Sequence, residues 1–279
     1  MTRPAAVDEI AQRFQKPLIM GVVNCTPDSF HEGSRASTCE AAVERALMLV
    51  EEGADILDFG GESTRPGSEA VSLEEERSRV IPVIKAVARK VKIKISVDTS
   101  KAAIAAEALD CGAVIVNDIS ALRADKEMLN VSLRAERVIL MHMLGDSPKT
   151  MQSSPTYKDC FSEVSQFLRG RVESFLAAGG RPSQVVVDPG IGFGKTLSDN
   201  LTLIKRSGEL AAIAPVLLGV SRKSMFGKIL SDNGAGDRLA ASLSIAAYAC
   251  FNGVAILRVH DVLDTRRVLE TLRAVSEAA

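Results

Sequence analysis

Short runs of β-branched and other apolar residues alternate along the chain with longer amphipathic stretches. The runs predict strands over 18–24, 55–60, 92–98, 113–117, 137–142, 184–188, 215–221 and 254–260. Most are nearly continuous in apolar character, as Val185-Val186-Val187 is. Parallel strands covered on both faces have no polar side to show, so they read this way. The stretches between them predict helices over 39–52, 72–90, 99–110, 126–135, 158–178, 198–210, 237–251 and 262–276. Gly53 reads as a helix stop, and Ser72-Leu73-Glu74-Glu75 as a capping-box start. About eight strand–helix units in 279 residues favour a closed (β/α)8 TIM barrel of the α/β class. No linker or low-complexity tract divides the chain, so we expect a single domain over 1–279 with its barrel core at about 17–276.

Composition narrows the partners. Lys and Arg number 34 against 35 Asp and Glu, and Trp is absent. A nucleic-acid binder usually carries a basic surplus, so a small molecule is the better expectation. The five cysteines, Cys25, Cys39, Cys111, Cys160 and Cys250, show no CxxC spacing. That argues against a zinc site or disulfide framework and for a cytoplasmic protein. No signal core or membrane-length apolar run is present, so no membrane partner is expected.

Nearly every strand run ends in a polar residue: Asn24, Asp58 with Glu62 beyond, Asp98, Asn117, His142, Asp188, Ser221 with Lys223, and Arg258 with His260. In a barrel of this type the site lies at those ends. Any one of them could simply mark a strand giving way to a loop. The series suggests convergence on one ligand. Asp98, Asn117 and Asp188 supply acceptors and an amide, which suit the edge of a flat heterocycle with paired N–H groups. Lys223, Arg258 and His260 sit at the last two strands, where such barrels often hold phosphate.

The loops are individually weak signals. Asn24-Cys25-Thr26-Pro27-Asp28-Ser29-Phe30 is good turn chemistry, and Asp58-Phe59-Gly60-Gly61-Glu62-Ser63-Thr64-Arg65-Pro66-Gly67 is a glycine-rich βα loop. Asp188-Pro189-Gly190-Ile191-Gly192-Phe193-Gly194-Lys195-Thr196 fails the phosphate-loop pattern because Pro189 stands where glycine is needed. It reads better as a loop that closes Phe193 on a flat ligand. His142, between Met141 and Met143, reads as a core side chain.

Taken in order, the segments NCTPDSF, DFGGESTRPG, SVDTSK, VNDI, LMHM, VDPGIGFGK, SRKSMFG and RVHD resemble those of the dihydropteroate synthase family of pterin-binding barrels. They run from Asn24 to Asp261 and cover almost the whole chain. The resemblance implies condensation of 6-hydroxymethyl-7,8-dihydropterin diphosphate with p-aminobenzoate, giving 7,8-dihydropteroate and diphosphate in folate biosynthesis. It implies a Mg²⁺-dependent transferase, a homodimer and a target of sulfonamides. Asp98, Asn117, Met141, Asp188, Lys223 and Arg258 match the family's pterin pocket. Asn24, Thr64, Arg65, Arg258 and His260 match its diphosphate site. Phe30, Pro66, Phe193, Lys223 and Ser224 match its p-aminobenzoate pocket. Lys223, Arg258, His260 and Arg65 would carry the catalysis, and Asn24 and Glu32 would hold the metal. His31-Glu32-Gly33-Ser34 departs from the family's first loop, with Glu32 in place of an aspartate. Cys25 replaces an aliphatic residue and reads as a small buried hydrophobe. Two alternatives share parts of the pattern. One is a methyltransferase using methyltetrahydrofolate, which has no use for the SRKS lysine or the RxH pair. The other is a non-catalytic pterin-binding paralogue, which would be expected to lose Asn24, Lys223, Arg258 or His260.

Overall fold

The predicted runs become eight parallel strands, each followed on the chain by helix. A computed structural model describes residues 16–26, 35–63, 68–145, 149, 151, 155–231 and 238–278. The strands are β1 (Leu18–Asn24), β2 (Ile56–Gly60), β3 (Lys94–Asp98), β4 (Ile115–Asp118), β5 (Arg137–Met141), β6 (Val185–Asp188), β7 (Leu217–Leu218) and β8 (Ile256–Val259). Their helices are α1 (Arg35–Glu51), α2 (Leu73–Ala88), α3 (Ala102–Asp110), α4 (Met128–Ser132), α5 (Cys160–Ala177), α6 (Leu197–Lys205), α7 (Met225–Leu230), α8 (Leu239–Cys250) and α9 (Val262–Ser276).

The strands pair in the order β6-β5-β4-β3-β2-β1-β8-β7. One parallel bridge, Val187 to Val216, joins β6 to the start of β7 and closes the barrel. The Val187 N–H donates to the Pro215 carbonyl at 2.9 Å across the same junction. The expected (β/α)8 barrel is therefore the observed fold.

Two apolar layers hold it. Outside the sheet, Ile19, Leu57, Val97, Val116, Val138 and Val187 pack under helix residues such as Val80, Ile84 and Ile104. Inside, Met20, Ile56, Ile115, Ile139, Val186, Leu217 and Ile256 meet in a plate across the barrel. Burying each such side chain is worth roughly 1.5–3 kcal/mol. Strand side chains alternate between faces, so the residue two places on points inward again. Two places beyond the plate stand Asp58, Asn117, Met141, Asp188 and Arg258. The polar crown of the barrel is thus the next rung of the pattern that builds its apolar interior.

The strands begin a residue or two later than the apolar runs, except at β1 and β5. The run at 215–221 narrows to a two-residue β7. Beyond it Ser221 accepts the His260 N–H through Oγ at 3.2 Å, so a side chain takes over from the ladder. The helix expected over 198–210 ends at Lys205 and continues as a 3-10 turn, Ser207–Ala212. Gly208 lies so close to the Asn252 carbonyl oxygen that a Cβ there would stand 2.4 Å away. The six-residue α7 went unpredicted, because so short a helix shows no period. At α2, Ser72 Oγ accepts the Glu75 N–H at 3.2 Å, as the start signal suggests. Among the described residues no helix is long and apolar enough to cross a membrane.

Candidate functional site

At the bottom of the crown lies a buried fork. The Arg258 guanidinium donates from Nε to Asp58 Oδ2 at 2.6 Å and from Nη2 to Asp98 Oδ2 at 2.7 Å. Asn117 Nδ2 donates to the same Asp58 oxygen at 3.1 Å. One carboxylate oxygen therefore fixes both an arginine plane and an amide. With its Nδ2 so engaged, Asn117 keeps its carbonyl oxygen for a ligand. Asp58 is fully buried, and its Oδ1 has no hydrogen-bond partner among the described residues. Burial opposes the charge of Arg258, but Asp58 and Asp98 more than offset this and hold it protonated. Burial lifts Asp98 to about 7, with Arg258 pulling it back and Asp58 adding repulsion.

Asp188 stands on the opposite side, level with Met141 in the β5–β6 register. Its Oδ1 accepts the Gly190 N–H at 2.7 Å, which leaves Oδ2 for a ligand. Burial raises its pKa, against the Gly190 hydrogen bond and the Lys223 charge. The loop after β6 turns through three glycines with left-handed backbone, Gly190, Gly192 and Gly194. At Gly190 a side chain is excluded outright, since a Cβ would lie 1.9 Å from the His142 carbonyl oxygen. The loop delivers Phe193, whose ring has Lys223 Nζ 4.5 Å from its centroid. Lys223 falls to about 8, first through burial and then against the pull of Asp188.

The cationic side comes from the chain's last strand. His260 donates its N–H to Ser221 Oγ, and its ring Nδ1 lies 3.1 Å from the same oxygen. Burial, and then the charges of Arg258 and Arg222, lower its pKa to about 4. Arg45 Nη2 holds the His260 carbonyl at 2.9 Å. Asn24 ends β1, half-buried and in register with Gly60.

Most of the expected residues are thus brought to one rim. Asn117 and Arg258 bond directly to Asp58, Asp98 joins them through Arg258, and Asp188, Met141, Phe193 and Lys223 form the facing wall. Ser224 follows Lys223 at an exposed position. Phe30, Glu32, Thr64, Arg65 and Pro66 lie outside the described residues. His142 is a core side chain: it is buried, sits edge-on to Phe167 at 4.9 Å between centroids, and is pushed down to about 3 by burial and by Lys195. Cys25 is buried as expected, its thiol pushed up to about 12 chiefly by burial.

Three polar residues matter more than their sequence context suggests. Asp58 was visible at a strand end, and strand parity would have placed it between the plate and the ligand. Ser221 anchors His260 from the neighbouring strand. Asp118 is fully buried and faces away from the crown; its two oxygens accept from Ser100, Ser120 and the Leu122 N–H, tying the turn after β4. No sequence signal separated Asp118 from the adjacent Asn117.

The arrangement sets acceptors and one lysine around a flat space, beside an arginine and a histidine fit for an anion. A family model described as pterin binding enzyme matches residues 20–260. The dihydropteroate synthase of Escherichia coli strain K12 is 42% identical over 263 residues, covering 94% of this chain and 93% of the relative. The solved dihydropteroate synthase of Xanthomonas albilineans with 4-aminobenzoic acid is 41% identical with a TM-score of 0.88, covering 95% of this chain and 94% of that one. A structure of the Xanthomonas albilineans enzyme in complex with 7,8-dihydropteroate is 38% identical with a TM-score of 0.85, covering 95% of each chain.

Proposed function

Because the chain belongs to the pterin-binding enzymes, and among them to the dihydropteroate synthases, we propose that its crown reads dihydropterin diphosphate on one side and p-aminobenzoate on the other. The chain is a transferase that joins 6-hydroxymethyl-7,8-dihydropterin diphosphate to p-aminobenzoate, releasing diphosphate and 7,8-dihydropteroate. The observation that carries the site reading is the convergence of Asp98, Asn117, Asp188 and Lys223 beside Arg258. The methyl-transfer alternative falls away, since the identity to a synthase spans 94% of the chain.

In this reading Asp188 accepts a ring N–H and the exocyclic amine, Asn117 binds beside it, and Lys223 donates to the ring's acceptor edge. Met141 and Arg258 cover the two faces of the pterin. Arg258 and His260, with Asn24, take up charge as diphosphate leaves. His260 is neutral before substrate arrives, and a diphosphate beside it favours the charged ring. The electron-rich pterin stabilises a cation developing at its methylene carbon. The aromatic amine is already neutral at pH 7, so attack needs no strong base. What the protein supplies is orientation, charge stabilisation and exclusion of water.

Mg²⁺ is the proposed cofactor. The amide oxygen of Asn24 is a suitable hard donor, and Glu32 would be a second ligand. The described residues hold no cluster of three or more His, Cys, Asp or Glu fit for a metal. Diphosphate oxygens and water would complete the shell, as Mg²⁺ commonly takes them. When bound, the ion neutralises charge on the leaving diphosphate. Thr64, Arg65, Pro66 and Phe30 keep their proposed places in the loops around diphosphate and p-aminobenzoate, with Ser224 at the pocket mouth. A homodimer in the cytoplasm and competition by sulfonamides for the p-aminobenzoate pocket complete the proposal.

The test mixes pterin diphosphate, p-aminobenzoate and Mg²⁺ and follows diphosphate release together with pteroate. The Asp188→Ala and Lys223→Ala variants should lose at least about a hundredfold in kcat/KM while keeping the wild-type circular dichroism. Pterin binding without pteroate formation in the wild type would instead mark a non-catalytic binder. Near-wild-type turnover in either variant would remove that residue from the pocket.

A further inference from the structure

Lys195 is a buried lysine that the reaction does not use. It is 4% exposed, and among the described residues no carboxylate lies within ion-pair distance of its Nζ. Instead the ammonium meets the Phe193 carbonyl at 3.0 Å, the His142 carbonyl at 3.4 Å and His142 Nδ1 at 2.9 Å. These three acceptors match its three N–H bonds. Burial drives its pKa down to about 7, with Cys160 and Asp188 pulling it back. An unpaired cation is costly to bury, so an apolar residue would serve better if packing were the only task.

The contacts have a direction. His142 follows Met141 at the end of β5, and Phe193 belongs to the glycine loop after β6. Other bonds fix the loop from other groups, and the Phe193 N–H itself donates to the Gly190 carbonyl at 3.1 Å. Asp188 takes the Gly190 N–H, Asn200 Oδ1 takes the Gly192 N–H at 2.7 Å, and Tyr157 donates to the Gly194 carbonyl at 2.9 Å. Lys195 alone among these ties the Phe193 carbonyl to β5. Met141 and Phe193 pack in one cluster with Met143 and Met151, and the Phe193 ring carries Lys223 above it.

We propose that Lys195 is a positioning residue for the p-aminobenzoate pocket: by binding the Phe193 and His142 carbonyls together it sets where the Phe193 ring stands against Lys223. The inference rests on the assignment of Phe193 to that pocket under the proposed function. It acts through Phe193 and touches neither substrate.

The experiment is steady-state kinetics on Lys195→Met, which keeps the stem and removes the three donors. KM for p-aminobenzoate should rise about tenfold, in line with the loss of charged hydrogen bonds that hold one wall. KM for the pterin diphosphate should stay within about twofold, because Asp98, Asn117 and Asp188 are held by other groups. An unchanged KM for p-aminobenzoate, or equal rises for both substrates, would overturn the inference. If the variant does not fold, wild-type protein carrying [ε-15N]lysine replaces it. Its two most acidic lysine signals are those of Lys195 and Lys223, separated by their absence or presence in Lys223→Ala. The Lys195 signal should move when p-aminobenzoate is added with diphosphate and 6-hydroxymethylpterin, and a signal that stays still overturns the inference. Wild-type protein that makes no pteroate would sink the functional reading itself. Active wild type with an indifferent Lys195→Met sinks the positioning role alone.

Discussion

Asp58 shows how one side chain can matter without facing a ligand. Its Oδ2 holds both Arg258 and Asn117, so the arginine plane and the amide share one support. Asp58→Asn should cut kcat/KM at least about tenfold and lower stability by about 3–5 kcal/mol, since it leaves a buried guanidinium half-paired. Thermal unfolding and steady-state kinetics check both, and full stability with full activity would refute the shared support. The buried histidines give a pH signature. His142 and His260 are held at about 3 and about 4, below the ordinary 6.5, so the folded protein resists protonating them. Their contribution is complete above pH 6.5 and is lost as pH falls through about 4 and about 3. Asp98, lifted to about 7, works in the other sense and loses its contribution as pH rises through neutrality. Between pH 6.5 and 4.5 the buried carboxyls therefore oppose the histidines, and His142→Phe should lose less melting temperature on acidification, or gain more, than the wild type. Parallel slopes for the two proteins would show that His142 does not titrate in that window. At this scale Asp98, Asn117, Asp188, Lys223 and Arg258 were legible because a charge or amide at the end of an apolar run has few structural reasons to be there. Lys195 was not legible, because its partners are a residue 53 positions away and backbone carbonyls that no sequence pattern marks.

The loop after β6 carries the most constrained backbone of the site, and its glycines are unequal. Gly190 and Gly192 both have left-handed backbone, yet a Cβ at Gly192 would meet only the Lys223 stem, at 3.4 Å from Cδ. Gly192→Ala should cost about 1–2 kcal/mol of strain and shift Lys223, raising KM more than it lowers the melting temperature. Gly190→Ala must displace the His142 carbonyl and should give little folded protein. Soluble yield and melting curves separate the two, and equal behaviour would contradict the close approach at Gly190. The glycine spacing told of a turning loop but not which glycine meets backbone. The same limit applies to the strands. Apolar runs located all eight, but a side-chain pattern does not say where hydrogen bonding begins, and β7 keeps only two of seven expected residues.

The whole barrel was the most legible level, because alternation of run and amphipathic stretch repeats eight times and only closed or doubly wound sheets satisfy it. Its closure is uneven. β1 and β2 pair over five residue positions, whereas β6 meets β7 through the one bridge at Val187 and Val216. Hydrogen exchange should accordingly release the Val187 amide well before that of Val97 in the central strands. Equal protection would mean that the junction is as firm as the rest. That junction also parts the carboxylates of the site from Lys223, Arg258 and His260 along the chain. Asp58, Asp98, Asn117, Met141 and Asp188 all precede it, while Ser221, Lys223, Arg258 and His260 all follow it. A chain severed just before Leu217 would leave a six-strand piece carrying the carboxylates of the site and a two-strand piece carrying Lys223, Arg258 and His260. The pieces would still share the β1–β8 edge, registered over four positions. Assembly along that edge would restore the fork at Arg258, so the salt bridge that orders the site would also be the clasp between its halves.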